Sequence, residues 1–238
     1  MRLAINIDHF ATLREARRST EPEPVLAALL AEQAGAEGVV CHLRSDRRHI
    51  KERDLRLLRG SIKTKLNMEM AATDDMLKVA LEVKPDVVSL VPERHEELTT
   101  QGGLNVAANR ARLVPAIKKL KAAGIRVSIF VDPSLEQIRA CAAAGVDLIE
   151  INTGRYAEAK PGPDRDKALE DVRRAAKLAA GLKLEVHAGH GLDYHNVRPI
   201  VDIPEISELS IGFSIVARSA ITGIDLAVAD MVALLERD

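Results

Sequence analysis

Three segments of the chain share one pattern: an alanine-rich helical stretch stops at a glycine, and an apolar run rich in β-branched residues follows at once. They are EQAGAEGVVCHL, KAAGIRVSIFV and AAAGVDLIEIN. A glycine just past a helix takes up the left-handed conformation that other residues reach only with strain, so the helix ends there and the chain turns back into a sheet. Helix, glycine, strand repeated in this way points to parallel βα units. Eight apolar runs read as strands: residues 3–7, 38–42, 66–70, 87–91, 127–131, 148–151, 184–187 and 209–211. Most are followed by a helical pattern with a start signal. Pro24 enters a helix over 24–34, Thr73 with Asp74 and Asp75 caps 76–83, Ser134 with Gln137 forms a capping box, and Asp225 caps 226–236. Eight such units in 238 residues favour a closed (β/α)8 barrel over an open doubly wound sheet. Neither a G-x-G-x-x-G nor a P-loop sequence supports the open sheet. No linker interrupts the pattern, so residues 1–238 read as a single barrel domain, with the polar stretch 159–166 as a loop before a helix.

Charge narrows the function. Lys plus Arg (34) nearly balances Asp plus Glu (35), so no nucleic-acid partner or anionic membrane is expected, and any basic site must be local. With no Trp, two Tyr and three Phe, the chain lacks stacking platforms for bases. Cys41 and Cys141 are far apart, with neither metal-type nor redox-type spacing, and read as reduced core thiols of a cytoplasmic protein. No run approaches the roughly 18 apolar residues of a membrane span, and no targeting segment is read.

In a closed barrel the chemistry sits on the loops at the C-terminal ends of the strands. There the first run delivers Asn6, Asp8 and His9, residues that serve either the turn of the first loop or a ligand. The second run ends in HLRSDRRHI, with six ionisable side chains in eight residues: His42, Arg44, Asp46, Arg47, Arg48 and His49. Arginine forks there suit phosphate, whereas a charge run alone would be a solvated loop. The third run ends with Glu69 between two methionines, an awkward place for a carboxylate unless it is used. After the fourth comes PERHEELTTQGGL, a long polar loop whose Gly102 and Gly103 read as hinges of a lid. The fifth ends in Asp132, the sixth in Glu150, Asn152 and Thr153, the seventh in HAGHG with His187 and His190, and the eighth in Gly212, Phe213 and Ser214. Five of the seven histidines fall at these ends. The glycines after the last two strands suit the phosphate cradle of this fold. Without H-x-H or H-E-x-x-H spacing, no metal is expected. Two basic or glycine-rich anion sites with imidazoles and carboxylates between them suit acid/base chemistry on phosphorylated small molecules. An aldolase or isomerase acting on one sugar phosphate would use the same loops, and a barrel that only binds a phosphorylated ligand would explain the arginines but not His42, Glu69 and His190 together.

The segments NIDHFATLREAR, HLRSDRRHI, NMEMA, LVPERHEELTTQGGL, EINTG, AGHGLDYHNV and IGFSIVARS resemble the pyridoxine 5′-phosphate synthase family over essentially the whole chain. The resemblance implies an α/β protein, a (β/α)8 TIM barrel with extra helices, assembled as a homo-octamer. It also implies condensation of 1-deoxy-D-xylulose 5-phosphate with 3-amino-2-oxopropyl phosphate to pyridoxine 5′-phosphate, inorganic phosphate and water. No cofactor is implied: aromatisation drives the reaction, and the substrate's own amine forms the imine. By the same resemblance His42 and Glu69 are general bases, His190 the general acid, and Glu150 a transition-state stabiliser. Asp8, His9, Arg44, His49 and Thr99 would hold the deoxyxylulose phosphate; Asn6, Arg17, Gly191, Gly212 and Phe213 would hold the aminoketone phosphate. Phe213 stands where many relatives carry histidine, a change that a backbone N–H contact survives and a side-chain contact does not.

Overall fold

The computed structural model describes residues 1–93 and 102–237. Eight parallel strands close on themselves in sequence order: β1 (Arg2–Asn6), β2 (Gly38–His42), β3 (Lys65–Met70), β4 (Val87–Leu90), β5 (Arg126–Val131), β6 (Leu148–Asn152), β7 (Glu185–Gly189) and β8 (Ile206–Ile211), with β8 paired back to β1. Helices α1 (Asp8–Arg17) and α2 (Pro24–Gln33) follow β1; α3 (Glu52–Ser61), α4 (Asp74–Val83), α5 (Val106–Ala122) and α6 (Leu135–Ala144) follow the next four strands. Then α7 (Gly154–Glu158) and α8 (Pro163–Gly181) follow β6, α9 (Arg198–Val201) follows β7, and α10 (Phe213–Thr222) and α11 (Ile224–Leu235) follow β8. This is a (β/α)8 TIM barrel with extra helices, those paired after β1, β6 and β8. Among the described residues no helix is long and apolar enough to cross a membrane.

The three repeated glycines have the conformation that the sequence requires of them. Gly35, Gly124 and Gly145 lie at φ +107°, +80° and +81°, just after α2, α5 and α6. Each lets the chain leave its helix and enter the next strand.

The two-residue period of a strand sets what the barrel encloses. In β3, Leu66, Met68 and Met70 are fully buried under the helices. Lys65, Asn67 and Glu69 alternate with them and point inward, where Lys65 reaches Glu208 of β8, Asn67 bonds Ser89 of β4, and Glu69 approaches His42 of β2. The methionines flanking Glu69 therefore belong to the outer core, and the carboxylate belongs to the lumen.

Local expectations are corrected in four places. Ser134 makes no side-chain cap for α6; Gln137 turns instead to α5, where its Oε1 accepts from the backbone N–H groups of Val106 and Ala107 at 2.7 and 3.3 Å. Those are orphan donors of a longer helix that offers no acidic residue in its first turn. Asp225 sits inside the first turn of α11, whose N-cap is Gly223, so it complements the helix dipole without capping. Helix α8 starts at Pro163, within the stretch read as loop. Finally, β7 runs on to Gly189, which puts His187 inside the strand.

Gly103 has no positive φ and is held by two hydrogen bonds, its N–H to Asp132 Oδ1 at 2.9 Å and the next N–H, of Leu104, to Phe130 O at 2.8 Å. A Cβ built on it would overlap the backbone of Val131 and Asp132. It is a close-approach glycine at the top of β5, not a hinge; the proposed lid itself falls largely on residues 94–101, outside the described residues. Gly103→Ala should therefore destabilise the protein by about 1–3 kcal/mol through forced backbone displacement, read as a fall in the thermal midpoint. Gly102→Ala, with open space at its Cβ, should change the midpoint far less.

Candidate active site

The site begins with the first loop. Asn6 Oδ1 accepts the backbone N–H of Asp8 at 2.9 Å, and Asn6 Nδ2 donates to Asp8 Oδ2 at 3.0 Å. Asp8 Oδ1 in turn accepts the backbone N–H of His42 at 2.8 Å, fastening the ends of β1 and β2 together. Asn6 and Asp8 thus build the turn and line the mouth at once.

On the next pair of strands, the register sets His42 of β2 beside Glu69 of β3, and His42 Nδ1 lies 3.8 Å from Glu69 Oε2. Asp8, His42 and Glu69 bring ligand atoms within 4.8 Å of one another, a set that could hold a metal ion. Each Asp8 oxygen already accepts an N–H group, however, and His42 Nε2 is bonded to Glu93 Oε1 at 3.0 Å. Glu93 was not singled out from sequence. Its Oε2 accepts from the backbone N–H and hydroxyl of Ser45 at 3.1 and 2.6 Å. Burial works against its ionised form, but the hydrogen bonds from His42 and Ser45 hold its carboxyl at about 2.

The lumen carboxylates behave oppositely. Burial, and then the charges of Glu150 and Asp8, push Glu69 well above the usual carboxylate range. Burial, and then Glu208, push Glu150 up to about 8, against the pull of Lys65. Both shifts favour the neutral, proton-bearing form over the ionised one.

Two groups of donors of the kind that can hold an anion flank these residues. Arg44 and His49 are buried beside the end of β2. His49 Nδ1 accepts the backbone N–H of Ile50 at 2.8 Å, which leaves Nε2 as the ring donor, and burial lowers the pKa of the imidazole. Beneath this loop the buried Arg14 makes a two-pronged pair with the fully buried Asp54 at 2.9 and 2.7 Å and donates to His49 O at 3.0 Å. Burial would raise the Asp54 carboxyl, but the Arg14 fork holds it below its ordinary value. Arg14 and Asp54 also escaped sequence reading, because nothing in their spacing marks a pair forty positions apart. A cavity of about 300 Å³ opens on the outer side of Arg44, Ser45 and Glu93; it reaches neither Glu69 nor His190.

The second group is the start of α10, where the first helical bond joins Val216 N–H to Gly212 O and leaves the N–H groups of residues 213–215 without partners in the helix. Gly212 lies so close to Asn6 that a Cβ would come within 3.0 Å of the Asn6 Cβ. The exposed Phe213 ring meets His9 edge-on, with centroids 5.4 Å apart. Gly191, at φ +73°, and His190, a non-glycine residue at φ +83°, complete the preceding turn. Thr153 Oγ1 lies 2.7 Å from both Gly189 O and His190 O, and the His190 ring lies over Gly154, where a Cβ would come within 2.8 Å. Burial lowers the pKa of both His9 and His190.

Two residues lie apart from this group. Arg17 is exposed in the last turn of α1. His187, which shares the HAGHG segment with His190, sits inside the barrel between Glu185 (2.9 Å) and Glu208 (3.4 Å), in a cluster with Arg2 and Arg126 toward the opposite mouth. Thr99 lies outside the described residues.

The family model for pyridoxal phosphate biosynthesis protein PdxJ matches residues 3–237. Among curated relatives, the chain is 53% identical over 229 residues to a pyridoxine 5′-phosphate synthase of a Synechococcus strain, covering 96% of each chain. It is 52% identical over 235 residues to the enzyme of that name from Geobacter sulfurreducens, covering 99% of this chain and 98% of the relative. Solved structures of phosphoribosyl anthranilate isomerase from Thermus thermophilus (TM-score 0.62, 15% identity, 99% and 98% covered) and thiamine phosphate pyrophosphorylase from Pyrococcus furiosus (0.61, 19%, 98% and 95%) share the fold.

The buried carboxylate Glu150 generates a stability prediction. A carboxyl whose folded pKa lies above its unfolded value binds protons on folding, so its contribution is fully present below the unfolded pKa and is lost as pH rises through the folded one. Glu150→Gln removes the titration while keeping the shape. The thermal midpoint of the variant relative to the parent should therefore rise between about pH 4.5 and about pH 8 and level off above that. A difference independent of pH would mean that Glu150 does not titrate in this range.

Proposed function

The chain belongs to the PdxJ family, and from that membership we propose that this enzyme of pyridoxine 5′-phosphate synthesis acts as one (β/α)8 domain. In this reading it condenses 1-deoxy-D-xylulose 5-phosphate with 3-amino-2-oxopropyl phosphate, releasing phosphate and water. The observation that carries the reading is the pairing of His42 with Glu69 in a lumen that also holds Glu150, between two separate anion cradles.

The deoxyxylulose phosphate lies at Arg44, His49, His9 and Asp8, with Thr99 as a further contact; the aminoketone phosphate lies at Asn6, Gly191, Gly212 and the Phe213 N–H, with Arg17 added. Since Phe213 offers no side-chain donor, its contact is through the backbone at the helix start. The amine of one substrate attacks the ketone of the other, water leaves, and an iminium forms. That positive charge favours ionisation of nearby carboxyls, so Glu69, which burial shifts toward its neutral form, becomes a base when the adjacent carbon acid is present. His42 takes part in the same proton removals. Glu150, holding its proton, donates to oxygen that gains negative charge in the ring-closing steps. His190 starts neutral; a phosphate dianion at Gly191 and Gly212 favours its protonation, which equips it to protonate the leaving phosphate. One phosphate departs and one remains on the product, consistent with two cradles of different construction.

A cytoplasmic homo-octamer belongs to the same reading. Apolar surface for subunit contacts is supplied by Leu13 of α1, Ile221 of α10 and Leu226 of α11, all exposed.

Purified protein given both phosphates and no added cofactor should develop a pyridine chromophore; binding of both without any chromophore would sink the proposal. Glu69→Gln should lower kcat by roughly 10²- to 10⁴-fold with the thermal midpoint retained. Arg44→Lys keeps the charge but loses the fork, so KM for the deoxyxylulose substrate should rise well before that for the aminoketone. Equal rises would contradict separate phosphate sites.

A further inference from the structure

Glu93 stands in the loop after β4, against the end of β2, and its two oxygens have different duties. Oε1 faces His42 Nε2 at 3.0 Å, while Oε2 takes both donors of Ser45. The far side of the same imidazole, Nδ1, faces Glu69 at 3.8 Å, beyond hydrogen-bond length, which leaves an opening on the reacting side. His42 is buried, with its side chain 4% exposed, so water does not compete freely for either nitrogen.

We propose that Glu93 is a positioning residue for His42: its carboxylate keeps the single proton of the neutral imidazole on Nε2 and so presents the bare Nδ1 lone pair toward Glu69 and the substrate. The inference rests on the assignment of His42 as a base. Its physical basis is that a neutral imidazole has one donor and one acceptor nitrogen, and that the partner of one decides the role of the other. A carboxylate can only accept, so Nε2 must donate. Ser45 fixes the carboxylate in turn, through a backbone N–H that cannot rotate away and a hydroxyl that adds to it. Glu93, His42 and Glu69 then form a line in which the first group orients, the second takes the proton, and the third works across a gap.

The bland alternative is that Glu93 only ties the loop after β4 to the loop after β2. Glu93→Gln separates the two. Ser45 keeps its backbone donor aimed at Oε2, so the glutamine turns its one carbonyl oxygen there and its NH2 toward His42. The ring nitrogen Nε2 must then accept, and the proton moves to Nδ1. In protein labelled with ¹⁵N-histidine, with the His42 signals identified by their loss in His42→Gln, the ¹⁵N shifts should show protonated Nε2 in the parent and protonated Nδ1 in Glu93→Gln. In the same variant kcat should fall by about 10- to 100-fold, with both KM values within about two-fold.

An unchanged tautomer in Glu93→Gln, whatever the activity, overturns the proposal and leaves Glu93 a tie between loops. So does a switched tautomer with undiminished kcat. Should Glu93→Gln fail to fold, Glu93→Ala removes the acceptor facing Nε2 altogether; it should mix the tautomers, and a single unchanged form would count against the idea. If the parent forms no pyridine product, the assigned reaction fails separately, and the nitrogen shifts still decide whether Glu93 sets the imidazole.

Discussion

Enclosing carboxyl groups inside a closed ring of strands is the constraint from which the chemistry of this molecule follows. Glu150 pairs in register with His187 on one side and Phe130 on the other, and Glu69 with His42 and Ser89, so the sheet directs both side chains into the lumen. Burial makes their charged forms costly, and each worsens the other's position by like-charge repulsion. Farther down the lumen the same problem has a different solution. Glu208 and Glu185 are met by Arg2, Lys65, Arg126 and His187, and burial is compensated by opposite charge. One mouth is therefore electrically settled, and the other holds carboxyl groups that bind protons where ordinary carboxylates release them.

The two anion cradles are made differently, and the difference follows from their supports. The basic loop after β2 depends on Arg14 and Asp54, which are buried between α1 and α3 and hold the carbonyl of His49 from below. Removing either partner would strand a buried charge, a loss on the order of 3–5 kcal/mol, so the loop is held by an interaction that touches no ligand. The cradle after β7 and β8 is backbone. It needs Gly212 to pass Asn6, a left-handed Gly191, and the free N–H groups of a helix start. Such a surface tolerates Phe213 in place of a polar side chain, because the N–H contributed there is independent of residue type.

Much of this was legible in the sequence, and the misses have common physical causes. The repeated glycines announced their φ values, and the strands were readable because buried parallel strands are continuous apolar runs. Glu69 was visible as a carboxylate interrupting such a run. What sequence could not convey was direction and partnership across distance. Ser134 and Gln137 have the spacing of a capping box, yet Gln137 finds stronger demand at the neighbouring helix. His187 and His190 share one short motif, but the two extra residues of β7 commit His187 to the lumen. Gly103 looked like a hinge because glycine in a polar loop commonly is one; only the neighbouring strand shows that a side chain has no room there. Arg14, Asp54 and Glu93 were missed because each acts through a residue contributed by another βα unit.

The charge states that the protein's own environment favours run opposite to those that the proposed condensation needs. Burial shifts Glu69 and Glu150 toward their protonated forms and shifts His9, His49 and His190 toward their neutral ones. Two phosphate dianions and one iminium would reverse the balance at just the positions where each binds: negative charge beside the imidazoles favours their protonation, and positive charge above the lumen favours carboxylate. In the proposed reaction, such a site would be held back from proton transfer until both substrates had arrived. His42 is the exception, since its environment is set by Glu93 and Asp8 within the protein rather than by a ligand. Under the proposed assignments, a base fixed in advance, beside acids and bases that the substrates themselves switch on, would give the sequence of proton transfers a starting point.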